Sequence, residues 1–268
     1  MSLVHKARRR FGQNFLHDPL VIQRIVEAID PRPGQRLVEI GPGQGAITLP
    51  LLKACRRLHV VELDRDLIGP LAARASALGE LVIHQQDALQ FDFAALAGGG
   101  RIRVVGNLPY NISTPLLFHL MDQSEYIDDM HFMLQKEVVE RLAAMPGSRD
   151  YGRLSVMLQY RCRVEPLFGV GPGAFRPAPR VESAFVRLQP YAEPPVPARD
   201  PASLATLVRQ AFSHRRKTLR NGLRGLLSAE QIRDAHVDPA ARPETLTLPQ
   251  YVALADQLAE STAQGREE

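Results

Sequence analysis

Arg36-Leu37-Val38-Glu39-Ile40-Gly41-Pro42-Gly43-Gln44-Gly45 is the stretch that decides how this chain folds. A mostly apolar run of strand length, 36–40, passes directly into glycines spaced Gly-x-Gly-x-Gly, and a helix-like segment, 46–55, follows. A strand that turns through glycines into a helix is the opening unit of an open parallel sheet. Its glycines let the backbone come close to a nucleotide-like ligand. The spacing differs by one residue from the dinucleotide-binding fingerprint. The same alternation continues outward, with strand-length apolar runs at 58–63, 81–85, 102–106 and 130–135 and a late one at 183–188. Helical spacing occupies 66–77 and 114–122, the second with Ser113 placed to cap it and Pro115 in its first turn. These features predict an α/β chain with a mostly parallel sheet and helices on both faces.

The ends of the later strands carry polar residues. Glu62 falls roughly 20 residues beyond the glycines, where an acidic side chain binds the two hydroxyls of a ribose. Asp87 follows the third strand, where a carboxylate accepts from the amino group of an adenine. Each position also has a plain reading: turn glycines, a helix capped by Asp64, a turn capped by Asp87. Their conjunction, in order at the ends of successive strands, favours an adenosine pocket. These positions leave open what hangs from the adenosine.

Asn107-Leu108-Pro109-Tyr110 follows the fourth run. The exocyclic amine of adenine is a poor nucleophile, because its lone pair is delocalised into the ring, and attack through it requires acceptors that hold the amine. The Asn107 side-chain oxygen and the Leu108 carbonyl supply two, and Tyr110 supplies a flat face for an extruded base. An ordinary strand-to-helix turn is the alternative for the tetrapeptide taken alone.

Composition limits what such a turn belongs to. The chain has 268 residues, 45% hydrophobic and 23% charged, which suits one large globular domain with an appendage. Its 2 cysteines, Cys55 and Cys162, allow no disulfide framework, and neither has metal-ligand spacing, so a reducing, cytoplasmic setting and no metal are expected. No apolar run reaches membrane-spanning length. The formal charge of +4 suits a polyanionic partner without requiring one. A Pro-rich interval, 191–201, interrupts all periodicity and reads as a linker between a sheet domain, 1–190, and a small all-helical domain, 202–268, with helical spacing at 202–213, 218–227, 229–236 and 248–260.

With these residues assembled, the chain resembles the S-adenosylmethionine-dependent adenine N6,N6-dimethyltransferases of small-subunit (16S) ribosomal RNA, whose loss gives kasugamycin resistance. The resemblance runs from Gly12-Gln13-Asn14-Phe15-Leu16 through the glycine loop, Glu62-Leu63-Asp64, Asp87 and Asn107-Leu108-Pro109-Tyr110. It continues through Tyr151-Gly152-Arg153-Leu154-Ser155-Val156 and Gly173-Ala174-Phe175-Arg176-Pro177 to Phe212-Ser213-His214-Arg215-Arg216-Lys217-Thr218-Leu219. It implies a Rossmann-like class I methyltransferase fold. Asn14 and Leu16 would close over the cofactor, Gly41 and Gly43 would approach it, Glu62 would hold its ribose and Asp87 its adenine. Asn107 would touch cofactor and target base, and Phe175 would stack on the flipped adenine opposite Tyr110. The implied partner is 16S rRNA within the small subunit or its precursor, met by a monomeric enzyme.

Basic runs supply the surfaces for RNA. Lys6, Arg8, Arg9 and Arg10 form one, and His214, Arg215, Arg216, Lys217, Arg220 and Arg224 another. At helical spacing Arg216, Arg220 and Arg224 share a face, which predicts a phosphate-binding stripe. Three competing readings stand beside this one. They are methylation of large-subunit RNA by the antibiotic-resistance relatives, nicotinamide-dependent oxidoreduction, and an RNA-binding factor without catalysis. The sequence 212–219 favours the small-subunit enzymes over the first, the glycine spacing disfavours the second, and an intact Asn107–Tyr110 turn disfavours the third.

Overall fold

The computed structural model of the chain describes residues 13–264. The first basic run, Lys6 to Arg10, and Gly12 lie outside the described residues. The chain divides into two compact units, one reaching Val139 and taking in Glu165–Pro190, the other formed by Glu140–Val164 and the chain from Tyr191 onward.

The strands are β1 (Phe15–Leu16), β2 (Leu37–Ile40), β3 (Arg57–Val61), β4 (Glu80–His84), β5 (Ile102–Asn107), β6 (Ile127–Gln135), β7 (Cys162–Val170), β8 (Phe175–Arg176) and β9 (Ser183–Pro190). Among the described residues seven of them form one sheet in the order β4-β3-β2-β5-β6-β9-β7, while β1 and β8 make a separate pair. The run from β4 to β6 is parallel, and β9 returns antiparallel against β6. Every residue of β2 is buried, as a strand covered on both faces must be. The expected strands all form, lengthened or shifted by a few residues. β7 is an addition at the sheet edge, and its Pro166 and Gly169 are residues that a central strand would exclude.

Helices α1 (Pro19–Ile29), α2 (Thr48–Cys55), α3 (Arg65–Ala75), α4 (Phe93–Ala97) and α5 (Ser113–Met121) belong to the same unit. Asp18 starts α1 by accepting from Leu20 N at 2.9 Å and Val21 N at 3.2 Å. Ser113 does not cap α5 as expected. It is the first helical residue, and its hydroxyl turns back to donate to the Tyr110 carbonyl at 3.2 Å. The core joins Leu37, Val60, Val105, Met133 and Phe185 of the sheet to Leu51 and Leu52 of α2.

Strand order reverses between β2 and β5: the chain builds outward from β2 to β4 on one side and resumes with β5 on the other. The two strands meet closely, because Gly106 sits opposite Ile40 and a Cβ there would lie 2.6 Å from the Ile40 carbonyl oxygen. Only glycine permits that approach, and it delivers the next residue, Asn107, to the crevice where open sheets bind ligands.

After β6 the chain enters α6 (Lys136–Ala143), then α7 (Arg153–Arg161); beyond β9 come α8 (Pro201–Ser213), α9 (Leu219–Gly222), α10 (Ala229–Asp234) and α11 (Leu248–Gln264). The second unit has its own core of Tyr151, Tyr160, Leu204, Leu207, Tyr251 and Leu254 with their neighbours. Its extent differs from the expected 202–268, because Glu140–Val164 is part of it. The Pro-rich interval is not a free tether either. Val196 and Ala198 pack on this core, the Ala198 amide donates to the Tyr160 hydroxyl at 3.2 Å, and Asp200 caps α8. Proline and alanine give no periodic signal, so packing of this kind is invisible to pattern reading.

No helix of the described residues is long and apolar enough to cross a membrane.

Candidate active site

A cavity of about 300 Å³ opens at the carboxyl ends of β2, β3, β4 and β5, at the low end of volumes that hold small ligands. Its wall includes the glycine loop, Glu62, Asp87 and the turn from Asn107 to Tyr110, together with Asn14 and Leu16 from the start of the described chain. The cofactor-site positions expected from the sequence, Asn14, Leu16, Gly41, Gly43, Glu62, Asp87 and Asn107, all line this one cavity.

The glycine loop is shaped as its composition requires. Gly43 has φ +55°, and a Cβ on it would press into the Phe15 ring at 3.1 Å. Its amide donates to Glu62 Oε2 at 3.3 Å, while Glu62 Oε1 accepts from the Asp64 amide at 2.8 Å. Glu62 is thereby anchored to the loop it faces, and burial raises its pKa above the usual carboxylate value. Asp64 also caps α3, accepting from Asp66 N at 3.3 Å, so the capping and pocket readings of this acidic cluster hold together. Asp87 accepts from Leu89 N at 3.0 Å through Oδ1 and still lines the cavity.

Glu39, to which the sequence pattern assigns no role of its own, is the most unusual residue of the pocket. It lines the cavity yet is only 1% exposed, and its Oε2 has no hydrogen-bond partner. Burial pushes its pKa up to about 8. The nearby Thr48 hydroxyl acts against this rise without completing a hydrogen bond, and the charge of Glu62 adds to it. Ionising a buried carboxyl with one oxygen unpaired is costly, and a cationic ligand would relieve that cost.

The corner at the end of β5 is held from several sides. Asn107 Nδ2 donates to the Asn14 carbonyl at 3.0 Å, which uses one of its two hydrogens and orients Oδ1 as acceptor. The Leu108 amide donates to the Met133 carbonyl at 3.2 Å, and the Leu108 carbonyl accepts no hydrogen bond among the described residues. Tyr110 is half-buried, its hydroxyl 2.7 Å from Ser183 Oγ, and burial raises its pKa. The segment carrying Asn14 and Leu16 is held in turn by β8. Leu16 is in register with Phe175, and the His17 amide donates to the Ala174 carbonyl at 2.9 Å.

Phe175 departs from expectation. Its side chain is 3% exposed, packed in the core with Leu16, Val170 and Phe185, and it is absent from the cavity wall. In this structure its ring presents no face to a base opposite Tyr110. Pairing of β8 with β1 turned the ring inward, a tertiary effect that the local sequence does not display.

The ribosomal RNA adenine dimethylase family matches residues 4–260 of the sequence. The chain belongs to that family. A protein called ribosomal RNA small subunit methyltransferase A, from Pseudomonas aeruginosa, is 63% identical over 257 residues, covering 96% of each chain. One of the same name from Marinobacter nauticus is 58% identical over 96% of this chain and 93% of its own. Among solved structures, the 23S rRNA methyltransferase ErmE superposes with a TM-score of 0.70 at 25% identity, over 92% of this chain and 100% of that one. A dimethyladenosine transferase from Plasmodium falciparum superposes with a TM-score of 0.75 at 23% identity, over 94% and 98%. Membership in the dimethylase family makes the chain an S-adenosylmethionine-dependent methyltransferase of ribosomal RNA adenine. The cavity suits that cofactor, a nucleoside bearing cationic groups. Backbone without side chains at Gly41 and Gly43 and the carboxyls of Glu62 and Glu39, the latter with one oxygen unpaired, line the cavity.

The second basic run is exposed at Arg216, Lys217, Arg220 and Arg224 and half-buried at Arg215. The single helical face expected for Arg216, Arg220 and Arg224 does not form. Arg216 and Lys217 sit in a turn closed by the Lys217 amide on the His214 carbonyl at 2.8 Å, α9 ends at Gly222, and Arg224 follows in a turn that Gly225 completes with φ +87°. Glycine at 222 and 225 weakens helix continuation, which is why the i, i+4 spacing was misleading. Arg215 Nη2 donates to the Arg149 carbonyl, which ties this run to the loop before α7.

Proposed function

We propose that the chain dimethylates N6 of two adjacent adenines in the 3'-terminal hairpin loop of 16S rRNA, in the small ribosomal subunit or its precursor. It works as a cytoplasmic monomer with a place in small-subunit biogenesis. The observation that carries this reading is the corner at Asn107: with Nδ2 committed to Asn14, Oδ1 and the Leu108 carbonyl remain as paired acceptors beside the cavity. An NH2 group has two hydrogens, and two acceptors draw its lone pair out of the ring plane toward a donor carbon. For a small-subunit substrate, identity of 63% and 58% to proteins named for that subunit, against 25% to the 23S enzyme, is the supporting contrast.

S-adenosylmethionine supplies a methyl carbon on a positively charged sulfur, a leaving group that needs no metal or covalent intermediate. The chain's part is to bind and position. Glu62 holds the ribose hydroxyls, Asp87 the adenine amine, Asn14 and Leu16 one side of the pocket, and Glu39 stands as counter-charge at the methionine end. Asn107 and Leu108 orient the target amine, and Tyr110 carries the swung-out base, whose extraction costs a few kcal/mol and least in an unpaired loop. A nitrogen with one methyl keeps one hydrogen for the same acceptors, so a second transfer uses the same corner. Stacking by Phe175 on the second face requires its ring to leave the core.

The side-by-side assay offers free 16S rRNA, small subunits and 23S rRNA to the enzyme with labelled cofactor. Label confined to small-subunit substrates supports the reading, and label in 23S rRNA rejects it. RNA docking by the second basic run, Arg215, Arg216, Lys217, Arg220 and Arg224, has its own expected outcome. In the Arg216→Glu, Arg220→Glu double variant the slope of log affinity against log salt falls by about 2, one for each phosphate no longer neutralised. An unchanged slope removes these arginines from the interface.

A further inference from the structure

Resting on the reading of Tyr110 as the platform for the target base, we infer that Ser183 is a positioning residue for methyl transfer, the anchor that fixes the Tyr110 ring where a swung-out adenine stacks. Stacking uses only the ring face, so the phenolic hydroxyl is spare for another task. That hydroxyl lies 2.7 Å from Ser183 Oγ. Ser183 is fully buried at 0% exposure. It opens β9 in register with Gln135 at the end of β6. Its neighbour Glu182 accepts from the Lys136 amide at 3.0 Å through its carbonyl and pairs with Lys136 Nζ at 2.7 Å through its carboxylate.

Tyr110 is thereby held at both ends. Its backbone is set by the Ile112 amide on the Pro109 carbonyl at 3.2 Å and by Ser113 Oγ on its own carbonyl at 3.2 Å. The far tip is set by Ser183. Between these points the bond at the para position fixes where the tip of the ring lies, and with it the χ1 rotamer and the direction of the ring axis. A phenol is protonated well above neutral pH and burial raises the Tyr110 pKa further, so the anchor persists over the working pH range. The ring stands three residues from Asn107, so its tilt sets where the amine of a stacked purine falls relative to Oδ1 and the Leu108 carbonyl. Small misplacements of this kind cost rate more than affinity.

The test is a cycle of Ser183→Ala, Tyr110→Phe and the double variant, with kcat and KM for small subunits, cofactor affinity by calorimetry and thermal melting measured for each. Tyr110→Phe keeps the ring and leaves Ser183 in place, so it reads the anchor even where Ser183→Ala melts early. Each single variant is expected to lose about tenfold in kcat with KM and cofactor affinity within about twofold, and the double variant to lose no more than either single. Single variants with wild-type kcat, or losses that multiply in the double, overturn the inference. A wild-type enzyme that transfers no methyl to adenine would instead sink the functional reading itself.

Discussion

Asn107→Ala is expected to lower methyl transfer to small subunits by about 100- to 1000-fold, the usual scale for removing one preorganised group aimed at developing charge. Binding of the RNA should remain within about twofold of wild type, because phosphates dominate nucleic-acid affinity and the pocket corner adds little to it. The cause is specific. Asn107 Nδ2 is already committed to the Asn14 carbonyl, so truncation removes both the oriented oxygen and the tie that holds the Asn14 segment at the cavity rim. The Leu108 carbonyl alone then meets one of the two amine hydrogens. Single-turnover transfer and filter binding on the same preparations separate these effects, and a variant that keeps wild-type transfer removes Asn107 from the mechanism.

The second large effect concerns Glu39. With its pKa pushed up to about 8 by burial, it is mostly protonated at neutral pH, whereas the cationic cofactor favours its ionised form. Binding should therefore release close to one proton, and affinity should rise by up to tenfold per pH unit until about pH 8, then level. Isothermal titration in buffers of different ionisation enthalpy reads the proton directly. Glu39→Gln should abolish both the proton release and the pH slope. The sign for folding runs the other way. A carboxyl whose folded pKa is raised contributes stability that is complete below its unfolded pKa near 4.5 and is lost as pH rises toward 8. Without cofactor bound, folding loses about 1.4 kcal/mol per pH unit from this group across that window. Glu39→Gln should melt higher than wild type at pH 8 and similarly at pH 5. Glu62, also raised by burial, titrates beside it, so the difference between variant and parent isolates Glu39.

Much of this was legible in the sequence, for a physical reason. Buried parallel strands are written as continuous apolar runs, so β2 to β6 and the glycine turn after β2 could be read directly, and the residues at their carboxyl ends fell into one cavity. What stayed hidden depends on partners distant in the chain. β7 is an edge strand with proline and glycine inside it, the 191–201 interval packs without periodicity, and Gly222 and Gly225 break a helix that spacing alone extended. The inward turn of Phe175 follows from its pairing with Leu16, across more than half the chain. Glu39 and Ser183 were visible as letters only. Their roles appear once burial strands one carboxyl oxygen and a serine from β9, two strands along from β5, meets Tyr110.

Every step of the mechanism requires that the chain grip an exocyclic amine, so the most direct measurement is nucleoside analysis by mass of small-subunit RNA after incubation with methyl-labelled S-adenosylmethionine. Label is expected as N6-methylated adenosine, ending in the N6,N6-dimethyl form. Label at a ring nitrogen, at carbon or on a ribose hydroxyl, with none at N6, would contradict that requirement.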